Sequence, residues 1–305
     1  MAARLIAVVG PTAAGKSALA LGLAHRHRGE IVSCDSLQVY RGLDVGSAKP
    51  TAADRASVPH HLLDVADPDH GFSAADYARL ARAAVAGIAQ RGRPPIVAGG
   101  SGLYLRALLH GLFEGPSRDP ELRQRLERMA ARHGDARLLR LLARCDPEAA
   151  RRIEPRDRIR VVRALEIFLR SGLPQSRHFE AGAEPLPGVE VSILGLAPPR
   201  EELRRRVEAR TAAMFAAGLL EEVRGLLARY PERPRPLGAI GYREAVAVLD
   251  GRLAEEEARH AIVVSTMRYA KRQMTWFRHQ EAVHWFASAD SLDRAATAWL
   301  EAGDA

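Results

Sequence analysis

The chain has 305 residues, 47% hydrophobic and 27% charged, a globular composition that excludes disordered and fibrous classes. An excess of 45 lysines and arginines over 37 acids gives a net charge of +8 and suggests a polyanionic partner. Two cysteines, Cys34 and Cys145, cannot build a disulfide framework or a cysteine-rich zinc site. No apolar run approaches the roughly 20 residues of a membrane span, and a glycine motif follows Met1–Val9 directly, which leaves no room for a signal peptide. A cytoplasmic protein without membrane attachment is expected.

Arg4–Val9 reads as a buried strand stopped by Gly10-Pro11, and residues 16–28 read as a helix. Glu30–Cys34 is a second strand, ending at Asp35. Ser73-Ala-Ala-Asp76 is a capping box that opens a helix to about Gln90. Pro95–Ala98 is a third strand, running into Gly99-Gly100-Ser101-Gly102. Strands alternating with helices predict right-handed crossovers and a parallel sheet covered on both faces.

The rhythm changes after Gly115. Asp119-Pro120 and Asp146-Pro147 each place an N-cap before a first-turn proline, and the chain reads as helical and arginine-rich to about Ser171. Gly182–Gly188 is a Gly/Pro linker, and Val189–Leu196 resumes strand character. Helices follow at about 200–229, 240–250 and 254–280, and Val283–Phe286 is a last strand candidate. With Gly10, Gly15, Lys16 and Ser17 between the first strand and its helix, the fold expected is α/β: a parallel sheet of the P-loop NTPase type over 1–115 and 188–305, with an all-helical insertion over 116–187.

Gly10-Pro11-Thr12-Ala13-Ala14-Gly15-Lys16-Ser17 fits G-x-x-x-x-G-K-[ST] between a strand and a helix. Glycines let backbone N–H groups converge on phosphate oxygens, and the helix N-terminus adds its positive end. Lys16 supplies a compact charge and the Ser17 hydroxyl can hold Mg²⁺. A di- or triphosphate is therefore expected here. ATP hydrolysis usually needs an acid closing an apolar strand, yet the third strand ends in glycines. The best-placed acid is Asp35, on the edge where open α/β sheets bind ligands; its plain alternative is an N-cap or turn aspartate. The glycine cluster at 99–102 would let a substrate approach the sheet edge closely.

Two basic clusters stand out: Arg268, Lys271, Arg272, Thr275 and Arg278 on one helical face, opposite Met267, Ala270, Met274 and Phe277, and Arg156, Arg158, Arg160 and Arg163 in the insertion. Two such clusters favour an extended polyanion over a small anion. His60 and His61 are adjacent and do not converge on one metal; they are expected to fix a loop. Trp276 and Phe277 read as core. Lysine occurs only at Lys16, Lys49 and Lys271.

Together these segments resemble the tRNA dimethylallyltransferase (tRNA isopentenyltransferase) family. The resemblance rests on Gly10–Ser17, Asp35-Ser-Leu-Gln-Val-Tyr40, Gly46-Ser-Ala-Lys-Pro50, Pro59-His-His-Leu62 and Gly99-Gly-Ser-Gly-Leu-Tyr104. It continues through Arg163-Ala-Leu-Glu166, Gly238-Ala-Ile-Gly-Tyr-Arg-Glu244 and Tyr269–Arg278, and each lysine falls in a matched block. It implies transfer of a dimethylallyl group from dimethylallyl diphosphate to the N6 amine of the adenosine just 3′ of the anticodon, releasing diphosphate. The phosphate loop would then hold dimethylallyl diphosphate rather than ATP.

By position, the resemblance makes Asp35 the general base and brings Thr12 and Arg210 to the reacting diphosphate end. It assigns tRNA contacts to Asp35, Ser36, Leu37, Gln38, Ser101, Arg123, Ile159, Arg160, Val161, Val162 and Arg163. Further contacts fall on Ile240, Gly241, Tyr242, Arg243, Glu244, Ala245, Lys271, Arg272, Gln273, Met274, Thr275, Trp276, Phe277 and Arg278. Ser47 and Ser101 stand where the family usually has threonine, and the zinc finger of eukaryotic members is absent, which implies a bacterial-type enzyme; a monomer is expected. The alternatives are an isopentenyltransferase of free adenine nucleotides, disfavoured by the basic insertion, and a small-molecule P-loop kinase, disfavoured by the lack of a nucleotide lid. A nucleic-acid-binding module with a structural nucleotide would not need Asp35 beside the loop.

Overall fold

The computed structural model describes residues 3–112, 115–116, 118–180 and 184–302. Six strands, β1 (Ala3–Val9), β2 (Glu30–Cys34), β3 (His60–His61), β4 (Pro95–Gly99), β5 (Val189–Leu196) and β6 (His284–Phe286), form one sheet in the order β3-β2-β4-β1-β5-β6. Every pairing is parallel. Each link between paired strands must therefore cross over, and the intervening helices cover the sheet on both faces. The central strands β1 and β2 are apolar on both sides for that reason: Leu5–Val9 and Ile31–Cys34 are buried throughout.

The helices are α1 (Lys16–His27), α2 (Ala52–Ser57), α3 (Ala74–Gln90), α4 (Gly102–His110), α5 (Pro120–His133), α6 (Asp135–Cys145), α7 (Pro147–Arg152), α8 (Arg158–Ser171) and α9 (Gln175–Glu180). They continue with α10 (Arg200–Ala216), α11 (Leu219–Arg229), α12 (Tyr242–Leu249), α13 (Glu255–Gln280) and α14 (Ala289–Glu301). Two compact units result. One comprises residues 1–109 and 186–305 and contains the sheet; the other is the helical stretch 110–185, against the 116–187 expected.

Local signals act where they occur in the sequence. Ser73 and Asp76 cap each other reciprocally at the start of α3, and the Asp119 and Asp146 side chains accept the N–H groups of Leu122 and Ala149 at the starts of α5 and α7. The helix expected over 200–229 is two: Gly218 adopts φ 91°, a left-handed conformation that ends α10 and starts α11. His60 and His61 do not sit in a loop; they are the edge strand β3, paired with Ile31 and Val32.

Glu30, at the start of β2, ties that edge together. Its buried carboxylate accepts Nε and Nη2 of Arg91 at 3.0 and 2.7 Å, Nη1 of Arg93 at 3.1 Å, and His61 at 2.7 Å. Hydrogen bonds from Arg91, then from His61, outweigh burial and hold it down to about 2. Because the folded-state value lies below the ordinary 4.5, Glu30 contributes its full stability above about pH 4.5 and loses it as pH falls toward 2. Glu30→Gln is expected to destabilise the protein by about 2 kcal/mol at pH 7. The melting difference from wild type should close as pH is lowered from 5 to 2.5; a constant gap refutes the role.

Candidate active site

Among the described residues, the site grows from the carboxyl ends of β1, β2 and β4. Past β1 the chain turns through Gly10 at φ 137° and Gly15 at φ 101° into α1. A Cβ on Gly10 would stand 2.3 Å from the carbonyl oxygen of Leu196 in β5, so only glycine lets the loop leave the sheet here. Ala13 also takes a left-handed φ of 63°, and the Ala14 N–H donates to the Pro11 carbonyl at 3.3 Å. The buried Lys16 ammonium donates to the Pro11 carbonyl at 2.6 Å. Burial pushes it down to about 8, against the pull of the nearby Asp35 charge.

Two helices from the far half of the chain brace this loop. From α10, Arg210 donates to the Thr12 hydroxyl at 3.0 Å and to the Ser47 carbonyl at 3.3 Å, and Arg206 donates to the Ala14 carbonyl at 2.6 Å. From α13, the Gln273 amide accepts the Thr12 N–H and donates to the Gly100 carbonyl, both at 2.9 Å. Thr12 is thus held at its amide and its hydroxyl by different helices.

Asp35 follows β2. Its carboxylate accepts the Leu37 N–H at 2.8 Å, an Asx-turn that directs the 36–38 backbone. Ser101 accepts the Ser36 N–H at 3.1 Å, while Gln38 bonds Ser33 and the carbonyls of Ser47 and Ala48. Cys34, beside Asp35, is buried and its thiol is pushed up to about 12 by that burial; it is no thiolate nucleophile.

Two cavities meet at Asp35. One, of about 470 Å³, is lined by the phosphate loop, Lys16, Ser17, Gly99, Gly100 and Arg206. The other, of about 320 Å³, is lined by apolar Leu37, Val207, Met214, Ile240 and Ile262 together with Arg243 and Arg272. Thr12, Asp35, Ser47, Arg210 and Tyr269 border both. A phosphate-binding chamber, a hydrophobic chamber and a carboxylate at their junction suit transfer of an apolar group off a diphosphate.

Several expectations need correction. Gly99, Gly100 and Gly102 do not open space for a substrate on their Cβ sides. A Cβ there would meet the Cys34 carbonyl at 2.0 Å, the Gln273 amide at 2.2 Å and the Trp276 ring at 2.2 Å; these glycines admit the chain's own β2 and α13. Gln273 itself is buried among the apolar positions of α13. Tyr242, Ala245 and Phe277 are core, and Glu244 is buried as the cap of α12, accepting the Gly241 N–H. Ile240 and Arg243 line the hydrophobic cavity. Lys271, Arg272, Thr275 and Arg278 are exposed, Met274 and Trp276 half-buried.

In the helical unit, Val161 and Val162 are core, while Ile159 and Arg160 are exposed. Arg123 and Arg163 both donate to the buried Glu166 carboxylate, which burial would raise but which these arginines and the Asp119 N–H hold down to about 2. Arg158 and Arg160 pair with Asp135 and Asp157. The larger basic surface is one the sequence reading missed: a groove of α5 and α6 lined by Arg125, Arg128, Arg132, His133, Arg137 and Arg140. Its five arginines form no ion pair with an acid among the described residues. Their spacing, 125-128-132 and 137-140, is the signal that would have found it.

Residues 38–280 match the family model described as IPP transferase. A tRNA dimethylallyltransferase of Anaeromyxobacter dehalogenans (strain 2CP-C) is 55% identical over 284 residues, 93% of this chain and 95% of that one. The chain belongs to this family. Among solved structures, the tRNA isopentenylpyrophosphate transferase of Bacillus halodurans superposes with a TM-score of 0.71 at 37% identity, over 99% of this chain and 98% of that one. A eukaryotic dimethylallyltransferase acting on tRNA superposes with a TM-score of 0.81 at 26% identity, over 99% of this chain and 79% of that one.

The Lys16 value gives the site a testable pH dependence. A lysine lowered to about 8 is cationic at neutral pH and loses its charge as pH rises through 8, so anion binding should weaken there. Calorimetric titration with inorganic diphosphate should show affinity falling about tenfold from pH 7 to 9. Lys16→Met should remove most of that dependence; an equally steep profile in the variant would assign it elsewhere.

Proposed function

We propose that this member of the tRNA dimethylallyltransferase family takes its prenyl group from dimethylallyl diphosphate and places it on the N6 amine of the adenosine just 3′ of the anticodon. The observation that carries the reading is the position of Asp35 at the meeting of a phosphate chamber and an apolar chamber. An adenine amine is a weak nucleophile because its lone pair is delocalised into the ring. As the amine nitrogen bonds to C1 of the dimethylallyl group, the C1–O bond to diphosphate breaks and Asp35 takes the amine proton. Negative charge grows on the departing diphosphate, facing the loop N–H groups, Lys16 and Arg210. The apolar walls, Leu37, Met214 and Ile262 among them, suit the isoprenyl chain.

Mg²⁺ fits this donor set as a companion of the diphosphate. The described residues contain no cluster of three metal-ligating side chains, but Ser17 and Asp35 share one chamber, and Mg²⁺ commonly binds through one or two protein oxygens plus substrate phosphates. Ser17 would hold the ion, which supplies charge stabilisation to the leaving diphosphate.

The adenosine must leave its stack to reach Asp35; each within its own unit, the exposed face of α13 and the arginine groove of α5 and α6 suit a phosphate backbone. Asp35, Ser36, Leu37, Gln38 and Ser101, on the loops that follow β2 and β4, are assigned to the flipped nucleotide. The reaction chamber lies within the sheet-containing unit; action in the cytoplasm as a monomer belongs to the same proposal.

The deciding experiment is mass analysis of nucleosides from unmodified tRNA incubated with the protein, Mg²⁺ and dimethylallyl diphosphate. The expected result is an isopentenyl mass on adenosine, absent when AMP replaces tRNA; transfer to AMP, or ATP consumption without transfer, overturns the reading. Asp35→Ala should lower kcat about 10²–10⁴-fold with a smaller change in tRNA affinity. Replacing Arg128 and Arg137 by glutamine should weaken tRNA binding and reduce its salt slope by up to about two. An unchanged slope means that the groove does not meet the backbone.

A further inference from the structure

One carboxylate near the reaction chamber is engaged by four donors and has no part in the chemistry assigned above. Glu222, half-buried in the first turn of α11, accepts the N–H groups of three consecutive residues. The distances are 2.9 Å from Asp44, 2.7 Å from Val45 and 3.2 Å from Gly46. Oε2 takes the first two and Oε1 the third, and Oε1 also accepts the hydroxyl of Tyr242 at 2.8 Å, from a ring that is fully buried. Consecutive N–H groups pointing inward make an anion-binding concavity, and here the anion is supplied by the protein's own helix. Four converging hydrogen bonds on one carboxylate hold the segment to one arrangement.

The clamped segment leads directly to the site. Gly46 lies against the Tyr242 ring so closely that a Cβ would stand 2.5 Å from it, and Gly46 and Ser47 both line the apolar chamber beside Asp35. The Ser47 hydroxyl is tied back to the Leu43 carbonyl at 2.6 Å. Its carbonyl is therefore fixed in direction, and that carbonyl receives the second guanidinium nitrogen of Arg210, whose first nitrogen holds Thr12. Lys49, two residues on, is buried and bonded to Asp44, Asp64 and the Tyr40 carbonyl, which closes the far side of the segment.

We propose that Glu222 is a positioning residue for the transfer step, acting through the Asp44–Ser47 backbone to aim Arg210 across the phosphate loop. The inference rests on the reaction assigned above, in which Arg210 faces the departing diphosphate. A misdirected guanidinium costs little in the ground state but loses stabilisation where charge develops, so the effect belongs in kcat. Glu222→Gln turns one accepting oxygen into an N–H₂ group that opposes the backbone donors it should receive. Glu222→Asp keeps the charge and shortens the reach.

The test is a double-mutant cycle on prenyl transfer to unmodified tRNA, with thermal melting run on every variant. Glu222→Gln is expected to lower kcat about 30-fold, with KM for tRNA within about threefold of wild type, and Glu222→Asp to fall between the two. In an Arg210→Ala background, where the link is already cut, Glu222→Gln should cost less than about threefold more. Equal fold-losses in both backgrounds overturn the proposal, because they mean that Glu222 supports the fold and not Arg210. A loss confined to KM overturns it as well. Should Glu222→Gln fail to fold, the same cycle with Glu222→Asp decides by the same criterion. A wild-type protein that moves no prenyl group overturns the assigned reaction together with this inference; an active wild type with multiplicative losses overturns the inference alone.

Discussion

The site depends on Thr12 being held from two directions. Its amide is bound by Gln273 from α13 and its hydroxyl by Arg210 from α10, so two elements more than 190 residues away fix one residue of the phosphate loop. A phosphate loop on a strand and a helix alone needs only its glycines and the helix N-terminus to cradle an anion. Here the same loop is also the floor of a second, apolar chamber, and the walls of that chamber are α10 and α13. The polar ties through Arg210 and Gln273 therefore do two things at once. They set the loop, and they set how far the apolar walls stand from the carboxylate that divides the chambers.

This arrangement explains why glycine recurs where the sheet meets α13. Gln273 can reach both Thr12 and Gly100 only if α13 lies almost on the backbone after β4. Gly100 and Gly102 are the positions where its side chains, Gln273 and Trp276, would otherwise collide with a Cβ. Gly99 answers the same demand from the other side, against the carbonyl of Cys34 in β2. The glycine cluster is thus a packing device whose product is the position of a helix. Gly99 and Gly100 also line the chamber beside the phosphate loop, so the cluster both places α13 and borders the site.

What could be read from the residues divides along physical lines. Periodicity and caps are local, so the central strands and the starts of α3, α5 and α7 were legible from Ser73, Asp119 and Asp146 alone. The phosphate loop was legible because its spacing encodes a backbone conformation, and Asp35 because it closes a strand on the ligand-binding edge. The short helices α2 and α4 and the final helix α14 were missed, since a few apolar residues without an expected cap give little signal; Thr51 and Asp54 do form a capping box, which spacing alone would have shown. Contacts between distant residues were not legible at all. Nothing about Gln273, Glu222 or Tyr242 in the sequence says that a polar side chain turns inward, because its partners lie in remote segments. Resemblance to a family marks such positions without saying whether they touch substrate or protein; Tyr242 and Phe277 are buried in the core, while Gln273 is buried and also borders the chamber beside the phosphate loop.

The distribution of cations follows the same logic of space. Arginine carries nearly all the positive charge, and a guanidinium suits exposed or forked contacts, as at Glu30 and Glu166, where planar pairs of N–H groups meet carboxylates. Lys16 and Lys49 occupy the two places where that shape would not fit: each is buried and each sets a single nitrogen among backbone carbonyls or carboxylates at 2.5–2.8 Å. A compact ammonium can sit at the centre of converging oxygens, whereas a guanidinium spreads its charge over a plane and would need the loop to open. At Lys16 the same compactness serves a second end, because a buried ammonium with a lowered pKa is poorly solvated and gains most from an arriving diphosphate. Lys271 has no such confinement; it is exposed on α13, and its surroundings would accept arginine equally well.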